Sequence, residues 1–173
     1  MIKEKIEEAL NEQINEEFYS AYLYLSAAAY FDEQGLDGFE NWMRLQAQEE
    51  VDHAMRFFDY IEERGGRVEL ENIEKPKIDW ESPLEAFEDA LEHEQHITKK
   101  INELADLAEE ENDRATMNML QWFIDEQVEE EDSTEEVVQK LKMIDDSPSA
   151  LMMMDSKLGE RIPSEEEEED QQE

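Results

Sequence analysis

A chain of 173 residues carrying 51 Asp and Glu against 15 Lys and Arg, a formal net charge of −36, is long enough for one domain with a sizeable core and too acidic to hold nucleic acid phosphates. Its lack of cysteine excludes disulfides, thiolate metal sites and iron–sulfur clusters. No apolar run reaches the roughly 18 residues of a membrane span, and the charged start Met1-Ile2-Lys3-Glu4-Lys5 has no hydrophobic signal core behind it, so the expectation is a cytoplasmic protein without a membrane partner. Only 5 Gly and 4 Pro are present, with no alternating Val/Ile/Thr-rich run, which favours an all-α fold. A surface this acidic is comfortable only when salt screens it, and Lys is too scarce for the hyperthermophile pattern; a high-salt cytoplasm, that of a halophile, is expected.

The first helix is predicted from about Ile2 to Asp32, with Ile6, Leu10, Ile14, Glu17, Ala21, Tyr24, Ala28 and Phe31 on one stripe. Gly35 and Gly38 bracket a short turn. The second helix follows to about Arg64, stopped by Gly65-Gly66, with the stripe Phe39, Met43, Gln46, Glu50, His53/Ala54, Phe57 and Ile61. Residues 67 to 81 contain Pro76 and no helical period. A connection of about fifteen residues is long for bundle neighbours, and it could cross the bundle from end to end.

Ser82-Pro83 has the form of an N-cap followed by proline in the first turn, with Glu85 at the capping-box position. The third helix then places Leu84, Phe87, Leu91, Glu94, Thr98, Ile101, Ala105 and Ala108 on one line, up to a break at Asn112-Asp113. The fourth, to about Met143, carries Met117, Leu120, Phe123, Gln127, Glu130, Thr134, Val137 and Leu141. Four helices of similar length with inward stripes predict an antiparallel four-helix bundle.

After Asp145-Asp146, Ser147-Pro148 opens a short fifth helix that ends at Gly159. Ten residues do not hold a helix alone in water, and Leu151 to Met154 is apolar nearly all round. An oligomer contact is the preferred reading of that run, and docking on the bundle is the alternative. The bundle domain is therefore set at residues 1 to 159. Residues 160 to 173, from just before Arg161 and including five consecutive Glu at 165 to 169, read as a solvated acidic tail.

With 51 acidic positions in 173, one His with an acid three residues before it is no surprise. The pair Glu50-x-x-His53 gains weight from its place: Glu17, Glu50, Glu94 and Glu130 each sit at mid-helix on an apolar stripe. Four inward Glu at one level repel one another in a low-dielectric core, raising their pKa values or unfolding the site. Metal cations remove the conflict. Di-iron and di-manganese carboxylate bundles use one Glu from each of two helices and Glu-x-x-His from each of the other two. Here Glu17 and Glu94 stand singly and Glu50/His53 form one motif. In the fourth helix Ser133 replaces a second His after Glu130, and Gln127 precedes Glu130 by one turn.

Asn11-Glu-Gln-Ile-Asn-Glu-Glu17, Tyr19-Ser-Ala-Tyr-Leu-Tyr24, Gln48-Glu-Glu-Val-Asp-His53, His93-Glu94-Gln95 and Leu120-Gln-Trp-Phe-Ile-Asp-Glu-Gln-Val-Glu-Glu-Glu131 together resemble the non-haem ferritins of the bacterial and archaeal H-chain type. The resemblance spans about residues 2 to 159. It implies a ferritin-like bundle with a long crossover between the second and third helices, a short fifth helix, and a homo-oligomeric cage of 24 subunits. It also implies a ferroxidase that takes Fe(II) to Fe(III) with O2 or H2O2 and stores the mineral. Carried over, Glu17 and His53 bind the first iron, Glu50 bridges to the second, and Glu94 and Glu130 complete that one. Gln127 bonds near the second iron, while Tyr24 and Trp122 stand by as electron donors. Glu49, Glu126 and Glu129 match the ligands of a third iron site, with Glu130 shared.

The departures carry meaning. A second His would resemble bacterioferritin, whose centre behaves as a standing cofactor; Gln127 and Ser133 imply a second iron held less firmly and able to leave. Asp52 stands where bacterioferritins place the haem-ligating Met, so no haem is expected. His93 and His96 fall beside the metal stripe and read as exposed or structurally bonded. Tyr24 and Trp122 at helical spacing also fit a plain core, and Glu49, Glu126 and Glu129 also fit a solvated edge. A peroxide-detoxifying di-iron bundle would use the same ligands without storing mineral, and a purely structural bundle would keep its inward Glu protonated or water-bridged.

Overall fold

The structure, a computed structural model, describes residues 2–144 and 147–163. The Asp145-Asp146 break and the run of five Glu at 165 to 169 lie outside the described residues. Five helices follow in order: α1 (Glu4–Gln34), α2 (Asp37–Glu63), α3 (Pro83–Glu110), α4 (Arg114–Ile144) and α5 (Pro148–Leu158). No strand occurs among the described residues.

Local chemistry explains the ends. Gly35 closes α1 in the left-handed region at φ 69°, where a side chain would be strained, and Gly65 does the same after α2 at φ 71°. The Ser82 hydroxyl accepts from the Glu85 amide, and the Glu85 carboxylate accepts from the Glu81 amide at 2.6 Å, so the start of α3 is satisfied from both directions. Asn112, at φ 56°, turns the chain into α4.

Partner pairs fix the directions of the helices. Ser20 and Tyr24 of α1 meet His93 and Glu94 of α3, while Lys3 and Lys5 meet Glu111, so α1 and α3 run antiparallel. Gln46 meets Glu130, Phe57 stacks on Phe123 and Arg64 pairs with Asp113, so α2 and α4 also run antiparallel. The parallel pairs lie across the diagonals, which requires a connection along the whole bundle between α2 and α3. That crossover runs beside α1: Asn11 bonds the backbone of Arg67 and Glu69, Ser26 bonds that of Lys77, and Trp80 packs on Tyr30. From Asn11 to Tyr30 is about 28 Å of helix, the reach the fifteen-residue connection was expected to need.

The core is split. One apolar layer gathers Phe31, Phe39, Met43 and Phe87 with Trp42, Val137 and Leu141; the other gathers Ile6, Leu10, Phe57, Ile61, Ile101, Leu120 and Phe123. Between them lies a buried polar layer of Glu17, Ser20, Gln46, Glu50, His53, Glu94, Gln127, Glu130 and Thr134.

Three expectations change at the bundle end. Gly38 is not part of the turn before α2 but its second residue. A Cβ there would stand 1.7 Å from the Asp155 carbonyl oxygen, so glycine is what lets α5 close on α2. Asp155 then accepts hydrogen bonds from the amides of Gly38 and Phe39 at 2.8 and 3.1 Å, satisfying first-turn donors of α2. Met154, Leu151 and Leu158 pack against the adjoining apolar layer, so α5 docks on the bundle by one side. Met152 and Met153 remain 57% and 76% exposed, and the oligomer reading narrows to these two. Packing also continues past residue 159: Arg161 lies against α2 rather than in a free tail.

Candidate metal centre

The polar layer exists because each helix presents one carboxylate at the same height. Glu17, Glu50, Glu94 and Glu130 are all 5% exposed or less, each within an otherwise apolar stripe. An isolated carboxylate in such a place is costly. Burial, followed by repulsion from Glu50, pushes Glu17 up to about 8 from 4.5. The same two causes raise Glu94 to about 8, and burial with repulsion from Glu94 raises Glu130 to about 8. Glu50, central to the cluster, is raised well above the ordinary range by burial and then by Glu130.

Among the described residues, two three-residue groups have ligand atoms within 4.8 Å of one another: Glu17, Glu50 and His53, and His53, Glu126 and Glu130. His53 belongs to both. Its Nδ1 lies 3.4 Å from Glu50, and its ring is wedged edge-on against Trp122 and Phe123 at 5.4 and 5.9 Å. Trp122 is covered on its face by the Arg56 guanidinium at 3.8 Å. Glu94 falls in neither group. Its carboxylate accepts from the Tyr24 hydroxyl and from Gln127 Nε2 at 3.2 Å. Tyr24 is itself fully buried, and burial and the neighbouring Glu94 hold its phenol well above the usual tyrosine range.

The three residues expected to form a further iron site have different partners. Glu126 joins His53 and Glu130. Glu49 is paired with Arg161 at 2.5 Å. Glu129 is exposed and lines a cleft of about 470 Å3 between α3 and α4, together with Thr98, Gln127, Glu131, Asp132 and Glu135. His93 is half-buried with Nε2 2.6 Å from the Ser20 hydroxyl, and exposed His96 meets Glu16 at 3.1 Å; both are structurally bonded, off the centre.

Unlike Gln127 and Tyr24, the remaining amide and hydroxyl partners of the acids had no role assigned from the sequence. Gln13 donates to Glu17 at 2.8 Å, and Gln46 donates to Glu130 at 2.5 Å and to Glu50 at 3.4 Å. Thr98 accepts from Gln127 at 3.2 Å and donates to Glu131 at 2.5 Å. A signal was available for the first two: each is an amide four residues before a stripe Glu, where a helix stacks side chains. These donors do not complete the layer. Glu17 Oε2 and Thr134 Oγ1 are fully shielded and have no hydrogen-bond partner. Glu17, with one carboxylate oxygen buried without a donor and a ligand atom within 4.8 Å of a second carboxylate and an imidazole, suits a cation with oxygen and nitrogen ligands.

Comparison with known proteins points the same way. The family profile described as a ferritin-like domain matches residues 7–144. The chain is 44% identical over 161 residues to a bacterial non-heme ferritin of Bacteroides fragilis, covering 93% of this chain and 100% of that one. It is 40% identical over 166 residues to a bacterial non-heme ferritin of Staphylococcus aureus, covering 96% and 100%. Among solved structures, an open-pore ferritin from the hyperthermophilic archaeon Archaeoglobus fulgidus superposes with a TM-score of 0.93 at 55% identity, over 94% of this chain and 100% of that one. A form of the Archaeoglobus fulgidus ferritin engineered to be closed superposes at 0.94 and 54% identity, over 95% and 100%.

Proposed function

This chain belongs to the ferritin family, and from that premise we propose that it stores iron, oxidising Fe(II) in its mid-bundle layer and depositing Fe(III) oxo-hydroxide inside a homo-oligomeric cage of 24 subunits. The observation that carries the reading is the grouping of Glu17, Glu50 and His53 within 4.8 Å, with one Glu17 oxygen buried and unpartnered. Iron here is substrate and cargo.

In this reading Glu17 and His53 hold one Fe(II), and Glu50 bridges to a second one taken by Glu94 and Glu130. Each Fe(II) gives up one electron, so a pair matches the two-electron reduction of O2 to H2O2 or of H2O2 to water. The protein's part is placement and charge: acids raised to about 8 exchange protons for metal near neutral pH, so iron binding releases protons. Gln13, Gln46 and Gln127 orient the carboxylates, as supporting partners do in metal sites. Tyr24, hydrogen-bonded to Glu94, is the nearest phenol to supply an electron and proton, and Trp122 beside His53 is a second donor.

The second ion is held by carboxylates without a second imidazole, which favours its departure toward the cavity. A third ion is taken by Glu49, Glu126 and Glu129, with Glu130 shared, and no haem takes part. No helix among the described residues is long and apolar enough to cross a membrane, in keeping with work in the cytoplasm.

The test is Glu50→Ala in the assembled particle, mixed with Fe(II) and O2 in a stopped-flow spectrometer. Initial oxidation falls by more than the roughly 100-fold that loss of a supporting partner alone can cause, with particle mass unchanged. Wild-type initial rates in that variant would overturn the assignment.

A further inference from the structure

The segment that follows α5 returns to the centre. The Arg161 carbonyl accepts from Asn41 Nδ2 at 3.2 Å, which lays this stretch along α2. The guanidinium sits over the Trp42 ring at 4.7 Å, donates to the Trp42 carbonyl at 3.4 Å and to Gln46 Oε1 at 3.0 Å, and pairs with Glu49 Oε2 at 2.5 Å. Both members of the ion pair are mostly shielded, with 23% and 14% of their side chains exposed. Few of the chain's 15 cationic side chains reach this depth, and this one ends one helical turn from the metal carboxylates.

Two consequences follow from guanidinium chemistry. It has donors only, so the Gln46 oxygen must face it and the Gln46 amino group must face inward, where it meets Glu130 and Glu50. It also occupies the Glu49 carboxylate with a positive charge in the place where a metal ion would compete for that oxygen. We propose that Arg161 is a tethered counter-ion that competes with metal for Glu49, so that a cation beyond the dinuclear pair binds there only when the guanidinium swings away. This rests on the dinuclear reading above. It makes Arg161 a positioning residue for Gln46 and a determinant of how many ions each subunit holds, and it ties that number to the seating of α5 and the chain beyond it.

The experiment is an anaerobic titration of the assembled particle with Zn2+, a redox-inert probe, by calorimetry, with ion positions taken from anomalous scattering in crystals grown at the same loading. Wild type, Arg161→Gln, Arg161→Lys and the double variant Arg161→Gln/Glu49→Gln are compared. Arg161→Gln tightens the ion nearest Glu49 by roughly tenfold or more, the scale of one hydrogen bond to a charged group, while the inner pair, whose carboxylates Gln46 orients, is not tightened. Arg161→Lys, which keeps the charge and loses the fork, falls between. Glu49→Gln in the Arg161→Gln background removes the gain. An outer ion whose affinity is unchanged or weaker in Arg161→Gln overturns the proposal, while the inner pair still binds. Failure of the dinuclear reading is a different result: no ion at Glu17, Glu50 and His53 even in wild type.

Discussion

The middle layer of the bundle and the two apolar layers that flank it are equally buried and chemically opposite. In the flanking layers, Phe57 on Phe123 at 4.0 Å and Phe31 on Phe39 at 5.1 Å fill space with carbon and need nothing else. In the middle layer, four acids fill the same kind of space at a cost in free energy, with an oxygen of Glu17 lacking any partner. The difference teaches where stability and function reside. The ends hold four helices in register, and that register brings Glu17, Glu50 and His53 within one ion's reach. The middle gives up stability to keep carboxylates where a cation can use them.

The comparison breaks most severely from the apolar side. Phe57→Ala removes one ring of a stacked, fully buried pair and costs about 3–5 kcal/mol in unfolding free energy, measured by chemical denaturation; a loss under 1 kcal/mol would mean the end layers are not what holds the register. Glu17→Met is the converse change. An apolar side chain of similar volume replaces a buried acid, so the metal-free protein gains about 1–2 kcal/mol while rapid Fe(II) oxidation is lost. A variant that is both less stable and still active would erase the distinction between the layers.

The smallest effect sharpens it through pH. Glu17, Glu94 and Glu130 rise from 4.5 to about 8 on folding, so between those values the folded form carries more protons than the unfolded chain. The contribution of these three acids to the stability of the metal-free protein is therefore fully present below about pH 4.5 and declines as pH rises toward 8. Bound metal reverses the trend, because it requires the ionised forms. Denaturation midpoints of the metal-free protein at pH 5 and pH 8 check the sign, and Glu17→Met flattens the slope. A midpoint that rises with pH in the absence of metal would contradict the raised values.

Much of this was legible in the sequence, because helical periodicity reports burial directly. The four stripes and the Glu at the centre of each could be read without coordinates: a charge inside an apolar stripe has to face the core. The end-to-end crossover followed from its length and missing period. What could not be read depends on contacts between distant segments. Gly38 looks like any turn glycine until Asp155 is seen against it. Arg161 lies next to a strongly acidic run, and only the return of the chain along α2 brings it to Glu49. The partners of Glu49 and Glu126 have the same origin: an arginine from beyond α5 reaches the first, and the second joins His53 from another helix.

The claim that the middle layer is a site for a pair of metal ions is met most directly by a crystal of the assembled protein soaked briefly in Fe(II) without oxygen and measured at the iron absorption edge. The account predicts two anomalous peaks per subunit inside the bundle, one bounded by Glu17, Glu50 and His53 and the other shared by Glu50, Glu94 and Glu130. Iron found only on surface carboxylates, with the middle layer empty, would contradict it.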